Sequence, residues 1–126
     1  NLSEFKKIIK YRKEIWVTYK KYLADFFQLQ DLNLNSNPNY SYFPIIFKNE
    51  KKLLNAMYNL EKNNIFVRRY FYPSLDQIYA NKNYGICPNS REISKKILCL
   101  PISNDMTKIN QLKIIEILKL SQIKNN

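Results

Sequence analysis

Residues 65 to 75 read Ile-Phe-Val-Arg-Arg-Tyr-Phe-Tyr-Pro-Ser-Leu, and no other stretch restricts the fold as strongly. Ile65, Phe66, Val67 and Tyr70 are residue types that suit a pleated, half-buried surface, so residues 65 to 70 are predicted as a central strand. Pro73 lacks a backbone donor and ends the ladder. Successive side chains on a strand point to opposite faces, so Arg68 and Arg69 cannot serve one surface, and one of them should look inward or into a cleft. A strand end that carries arginine, tyrosine and proline suits an anionic, partly aromatic ligand such as a nucleotide. The plainer alternative is an edge strand whose arginines are solvated.

Helical and strand patterns surround this segment. Residues 3 to 27 read as one helix capped by Ser3, with Phe5, Ile8, Ile9, Ile15, Trp16, Tyr19 and Leu23 as its apolar stripe and lysines on the other side. Residues 28 to 39 turn polar and Asn-rich, a short strand at most followed by loop. Residues 39 to 48 form a strand by content, although Pro44 makes it an edge or bulged strand, at least locally. Asn49 caps a helix over 50 to 62 with Leu53, Leu54, Met57 and Leu60 on one face, and Asn63-Asn64 stops it. Strand, helix and strand in this order place the helix on one sheet face. After a turn or short helical piece at 75 to 80 comes a loop, 81 to 89, with Gly85 and Pro88. Ser90 caps a short helix over 91 to 97, and Cys99 to Ile102 gives a short strand ended by Pro101. Thr107 caps a last helix over 108 to 121 with Ile109, Leu112, Ile115 and Leu118 inward, and the final Lys-Asn-Asn should fray.

A chain of 126 residues has the size of one domain with a real core. It opens on Asn-Leu-Ser-Glu and moves straight into helix, which reads as a piece of something longer. No apolar run is long enough to cross a bilayer, so no membrane partner is expected. The formal charge of +11 invites a nucleic-acid partner. Arginine, however, is confined to Arg12, Arg68, Arg69 and Arg91, the lysines are spread along the whole chain, and no nucleic-acid-binding motif occurs. Abundant Lys, Asn and Ile fit an AT-rich coding sequence better than a selected basic surface. With no histidine and no C-x-x-C, a Cys/His zinc site and any histidine base or triad are excluded. Cys87 and Cys99 read as reduced, buried packing thiols of a cytosolic protein.

Four segments then carry a resemblance. Residues 10 to 19 (Lys-Tyr-Arg-Lys-Glu-Ile-Trp-Val-Thr-Tyr) are similar to an R-x-x-x-A-x-x-Y helix. Tyr42-Phe43-Pro44-Ile45 and the helix after it look like the next unit. Residues 64 to 73 resemble G-I-x-x-R-x-Y-Y-P. Cys87-Pro88-Asn89-Ser90 through Leu100-Pro101-Ile102 resembles C-P-x-A/S-x-x-x-S-x-x-x-L-x-L-P, the most specific of the four. Together they resemble the C-terminal small domain of the DegT/DnrJ/EryC1/StrS sugar aminotransferases over nearly the whole chain. Asn64 stands where relatives have glycine, and Asp76 and Gln77 stand where most have histidine.

The resemblance implies an α+β fold: a long N-terminal helix, then a small, largely antiparallel sheet covered by helices. It implies a fold-type I aminotransferase acting as a homodimer, in which a large-domain lysine holds pyridoxal 5'-phosphate and an amino group passes from glutamate to C3 or C4 of a dTDP-linked keto-deoxyhexose. One such product is a dTDP-4-amino-4,6-dideoxyglucose, used for surface polysaccharide. That large domain has no counterpart in these residues, so this chain by itself should be inert and bind no cofactor. Its share would be positioning, with Arg69, then Tyr70 and Tyr72, nearest the substrate and Arg68 at solvent or an interface. Alternatively the tyrosines are core and Arg69 is an interdomain salt bridge. Two other functions stay open from sequence: a stand-alone nucleotide-sugar-binding or regulatory module, and a basic nucleic-acid-binding domain. Leu2, Phe5 and Trp16 are candidates for exposed apolar surface.

Overall fold

The computed structural model describes residues 1–33, 35–70, 72–79 and 85–123. In chain order the elements are α1 (Leu2–Leu23), β1 (Gln28–Leu29), β2 (Phe43–Ile46), α2 (Glu50–Lys62), α3 (Leu75–Ile78), α4 (Pro88–Ser94), β3 (Ile97–Leu100) and α5 (Lys108–Ile123). The three strands form one antiparallel sheet in the order β1-β2-β3. This is the α+β arrangement expected, a long first helix followed by a small sheet with helices against it. Among the described residues no helix is long and apolar enough to cross a membrane.

Register sorts the strand residues into two faces. Phe43 lies opposite Leu100 and Ile45 opposite Leu98, and all four are buried. They join one core with Ile15, Tyr19 and Leu23 of α1, Leu53, Ala56 and Leu60 of α2, and Ile114, Ile115 and Leu118 of α5. Three helices thus cover one face of the sheet. Polar atoms inside are matched: the Tyr19 hydroxyl donates to the Pro101 carbonyl at 2.8 Å, and Gln111 Nε2 donates to the Ile15 carbonyl at 2.7 Å. Trp16 sets its ring edge against Phe43, 5.3 Å between centroids.

Several expectations change in detail. Asn1, not Ser3, caps α1: its side chain accepts from the Ser3 N–H at 3.0 Å, and asparagine is an equally good cap. The helix stops at Leu23, short of residue 27. Its first buried residue is Ile15, with Tyr11 packed partly buried against the core, and Phe5 is 58% exposed. On α2, Ala56 is buried and Leu54 is not, because Leu54 lies about 100° round the helix from Leu53. On α5 the inward stripe is Gln111, Ile114, Ile115, Leu118 and Ser121, whereas Ile109 and Leu112 face out. A hydrogen-bonded glutamine thus holds the inward place that apolar periodicity gave to Leu112. Thr107 caps this helix as expected, its hydroxyl accepting from the Asn110 N–H at 3.1 Å.

The strand expected over residues 65 to 70 is the largest departure. Among the described residues only one antiparallel bridge forms, Arg68 to Cys99, so the segment runs beside β3 at the sheet margin and not through its centre. β3 is four residues long and followed by Pro101, which offers no N–H to extend a ladder. β2 holds the centre instead. Its Pro44 is tolerated because β1 reaches only Ile45 and Ile46, so the strand is an edge at Phe43 and Pro44. The short helix begins at Pro88 with Cys87 at its cap, earlier than Ser90, since proline suits the first helical position. It accordingly ends at Ser94 and β3 starts at Ile97, two residues before Cys99. The stop after α2 holds: Asn64 has φ 60°, a left-handed conformation asparagine accepts. Gly85 also has positive φ, 76°, as a loop glycine can. Residues 124 to 126, expected to fray, and 81 to 84 of the expected loop lie outside the described residues.

The two faces of α5 and the sheet interior give a direct check. Leu98→Ala opens a void in the fully buried core and should cost about 2–5 kcal/mol in urea unfolding. Ile109→Ala, at a residue 79% exposed, should change stability by less than about 0.5 kcal/mol.

Candidate ligand-binding site

The two arginines divide as strand alternation requires. Arg68 is exposed, while the Arg69 side chain is only 15% exposed and turns back over the chain. Its Nη2 donates to Glu50 Oε2 at 2.9 Å and to the Lys95 carbonyl at 3.3 Å. The guanidinium carbon lies 3.7 Å from the centre of the Tyr72 ring, a stacked cation–π contact. Its Nε is buried and makes no hydrogen bond. Glu50 offsets most of the charge that Arg69 could offer an anion, so this arginine first of all braces Tyr72 against α2 and the end of α4.

Tyr70 and Tyr72 keep substantial access, 41% and 45% exposed, and neither is a core residue. Tyr70 meets Tyr42 ring edge to face at 5.8 Å. The two phenols therefore present aromatic edges and hydroxyls at a surface fixed from beneath by Arg69, an arrangement suited to hydroxylated or planar ligands.

Asp76 is buried and pinned on three sides. It accepts the Cys87 N–H at 2.9 Å, the Ser74 hydroxyl at 2.5 Å and Arg91 Nε at 2.6 Å. The Cys87 backbone bond, the Ser74 hydroxyl and the Arg91 guanidinium hold its carboxyl down at about 2, against the 3.8 of an ordinary aspartate. Segment 69–76 is thus fastened to α4 at both ends: Arg69 to the carbonyl just past its last residue, Asp76 to its cap and its middle. Sequence reasoning missed Glu50, Arg91 and this use of Asp76. The visible signals were an acidic residue in the first turn of a helix and an Asp-Arg pair fifteen residues apart, neither of which specifies a tertiary partner. Of the two cysteines expected to be buried, Cys99 is, and burial pushes its thiol pKa up; Cys87 is exposed because it caps a helix at the surface.

Beside these groups lies an open groove of ≈ 820 Å³ lined by Ser74, Leu75, Asp76, Cys87, Ile93 and Ile97 among others. Among the described residues no group of His, Cys, Asp or Glu could hold a metal. None of the described lysines is buried. An aldehyde cofactor held as a Schiff base needs a lysine enclosed in a pocket, so the described residues do not fit pyridoxal phosphate.

Ionised Asp76 contributes stability that is complete above its ordinary value of 3.8 and is lost as pH falls from there to about 2. Asp76→Asn should therefore be less stable than the parent chain at pH 7, with the difference in thermal midpoint closing across that acid window. Circular dichroism melts at a series of pH values read both trends.

Comparison with known proteins places the chain. A sequence model of the DegT/DnrJ/EryC1/StrS aminotransferase family matches residues 1–119. The chain is 43% identical over 74 residues to the dTDP-4-amino-4,6-dideoxy-D-glucose transaminase of Shigella dysenteriae, a match covering 55% of this chain and 20% of that protein. It is 34% identical over 93 residues to the Escherichia coli protein of the same name, covering 68% and 25%. The crystal structure of an aminotransferase, TlmJ from Streptoalloteichus hindustanus, superimposes with a TM-score of 0.82 at 16% identity, over 94% of this chain and 32% of its own. The chain thus spans between a fifth and a third of the length of these proteins, and over that span it belongs to the DegT/DnrJ/EryC1/StrS aminotransferase family.

Proposed function

We propose that these residues are a single domain, the C-terminal small domain of a pyridoxal-phosphate-dependent aminotransferase. The whole enzyme moves an amino group from glutamate to a dTDP-linked keto-6-deoxyhexose, as a cytoplasmic homodimer supplying surface polysaccharide. The observation that carries this reading is the 43% identity with a transaminase named for dTDP-4-amino-4,6-dideoxy-D-glucose, and the shared name of the second relative favours C4 over C3. The cofactor and its lysine belong to the large domain, and the 126 residues alone turn over nothing.

Within that enzyme this domain orients substrate. The phenols of Tyr70 and Tyr72 bond sugar or phosphate oxygens, since a phenol both donates and accepts. Arg69 fixes the plane of Tyr72 and, through the groups Glu50 leaves unsatisfied, adds positive potential for a pyrophosphate. Arg68 stays at the surface.

The test is glutamate-dependent conversion of a dTDP-4-keto-6-deoxyhexose to the amino sugar, followed by mass spectrometry, using the whole reading frame that contains Asn1–Asn126. Turnover by the whole frame and none by the 126 residues alone is the expected result. A frame that aminates no dTDP-keto sugar would sink the reading. Tyr72→Phe should raise KM for the sugar nucleotide about threefold to tenfold, the worth of one hydrogen bond, with kcat changed less. Arg69→Lys should not restore what Arg69→Ala loses, because an ammonium cannot stack over Tyr72 as a planar guanidinium does.

A further inference from the structure

Helix α5 is apolar on two sides. Its inner side, with Gln111, Ile114, Ile115, Leu118 and Ser121, is buried, and the helix packs against α1 and α2. On the other side Ile109, Leu112, Lys113, Glu116, Leu120 and Ile123 are all exposed. At about 100° per residue these six fall within one arc of about 100°. Four of them are large apolar residues, and Ile109 is 79% and Ile123 58% exposed. An amphipathic surface helix keeps charged and polar residues on the side away from the core, whereas a helix apolar all round is a buried one. The outer side of α5 therefore has the composition of a contact.

Charge says what covers it. Among the described residues of α5, Lys113 and Glu116 are the ionised members of that arc, three positions apart. Lys119 is drawn off to one side, its Nζ 5.2 Å from the centre of the Tyr22 ring and 5.0 Å from that of Phe26. A face with one lysine and one glutamate suits neither a polyanion nor a strongly acidic or basic helix. It suits a second copy of itself. Let two α5 helices lie antiparallel about a two-fold axis, with Lys113 of each meeting Glu116 of the other. Ile109 then lies beside Leu120 of the second copy and Leu112 beside its Ile117, and every contact occurs twice. Sliding the pair by three residues would set Glu116 against Glu116 and Lys113 against Lys119, so like charges disfavour that register. The net charge of +11 opposes any self-contact, but in about 0.15 M salt charges more than about 8 Å apart are screened, which leaves the pairs at the contact itself.

We infer that the outer face of α5 is a self-association surface, on which α5 of a second copy of this chain lies antiparallel with reciprocal Lys113–Glu116 pairs. The contact is additional to the homodimer of the proposed function. It rests on that reading in one respect: each homodimer would carry two such faces, so the whole protein would grow in steps of one homodimer.

Sedimentation velocity over a range of concentrations, on the whole reading frame and on the 126-residue chain, reads the association. Reversible growth by pairing is the expected result in both. Lys113→Glu alone and Glu116→Lys alone should each weaken it about tenfold or more, since each sets like charges against one another. An equal mixture of the two variants should restore it, because the acidic face of one then meets the basic face of the other. That recovery also shows both variants to be folded. No growth by the parent proteins overturns the inference. Growth that either reversal leaves unchanged does so too, by placing the contact on another surface, and so does a mixture that associates no better than its components. Growth in the short chain that is lost in the whole frame overturns it in favour of the rest of the polypeptide as the cover. Amination measured on the same whole-frame protein separates the two ideas. Turnover without pairing defeats this inference alone, and pairing without turnover defeats the proposed reaction alone.

Discussion

The β2–β3 pair, only four residues a side, is the joint on which everything else rests. Its inner face supplies the flat apolar floor for three helices, and without that floor α1, α2 and α5 have no common surface to bury. Helical periodicity alone could not hold them: α1 exposes its first two turns, and α5 turns a glutamine inward to reach a carbonyl of α1. What fixes their angular settings is contact with Phe43, Ile45, Leu98 and Leu100, and hydrogen bonds from Tyr19 and Gln111 that only one arrangement satisfies.

The site region depends on that joint at one remove. Among the described residues the 65–70 segment has one bridge to the sheet, with Ile65 and Val67 packed partly buried against the core, too little to set Tyr70 and Tyr72. Its position comes from side chains: Arg69 gripping Glu50 and the Lys95 carbonyl, Asp76 gripping Cys87 and Arg91. A charge-assisted hydrogen bond is stronger than a neutral one and more exacting in direction. Three elements, α2, α3 and α4, two of them very short, are thus held by charged groups where backbone pairing gives out.

Legibility in the sequence followed the range of the interactions. Asn49, Thr107 and Asn64 act on backbone groups within a few residues, and their roles were readable from residue type. The division between Arg68 and Arg69 was readable because alternation is local. The margin position of residues 65 to 70 was not, because strand content says nothing about which neighbour has free ladder positions. Leu112 and Leu54 were assigned inward by a rule that counts apolar residues, while the structure chose Gln111 and Ala56 for a hydrogen bond and for position. Glu50 and Arg91 as partners were illegible in principle, since a salt bridge between distant elements leaves no pattern in one sequence. The four segments resembling an aminotransferase small domain were legible as similarity and needed no geometry.

The bond from Asp76 to the Cys87 N–H closes a loop across eleven positions. Closure entropy grows only with the logarithm of loop length, so doubling the span would cost about 0.6 kcal/mol. The carboxylate acts like a staple at the loop's base: chain inserted between residues 77 and 86 would change the outline of the surface there without moving α4 or the tyrosines. In this chain, length at that interval is decoupled from the support of the residues beside it, because Asp76 and Cys87 meet whatever lies between them.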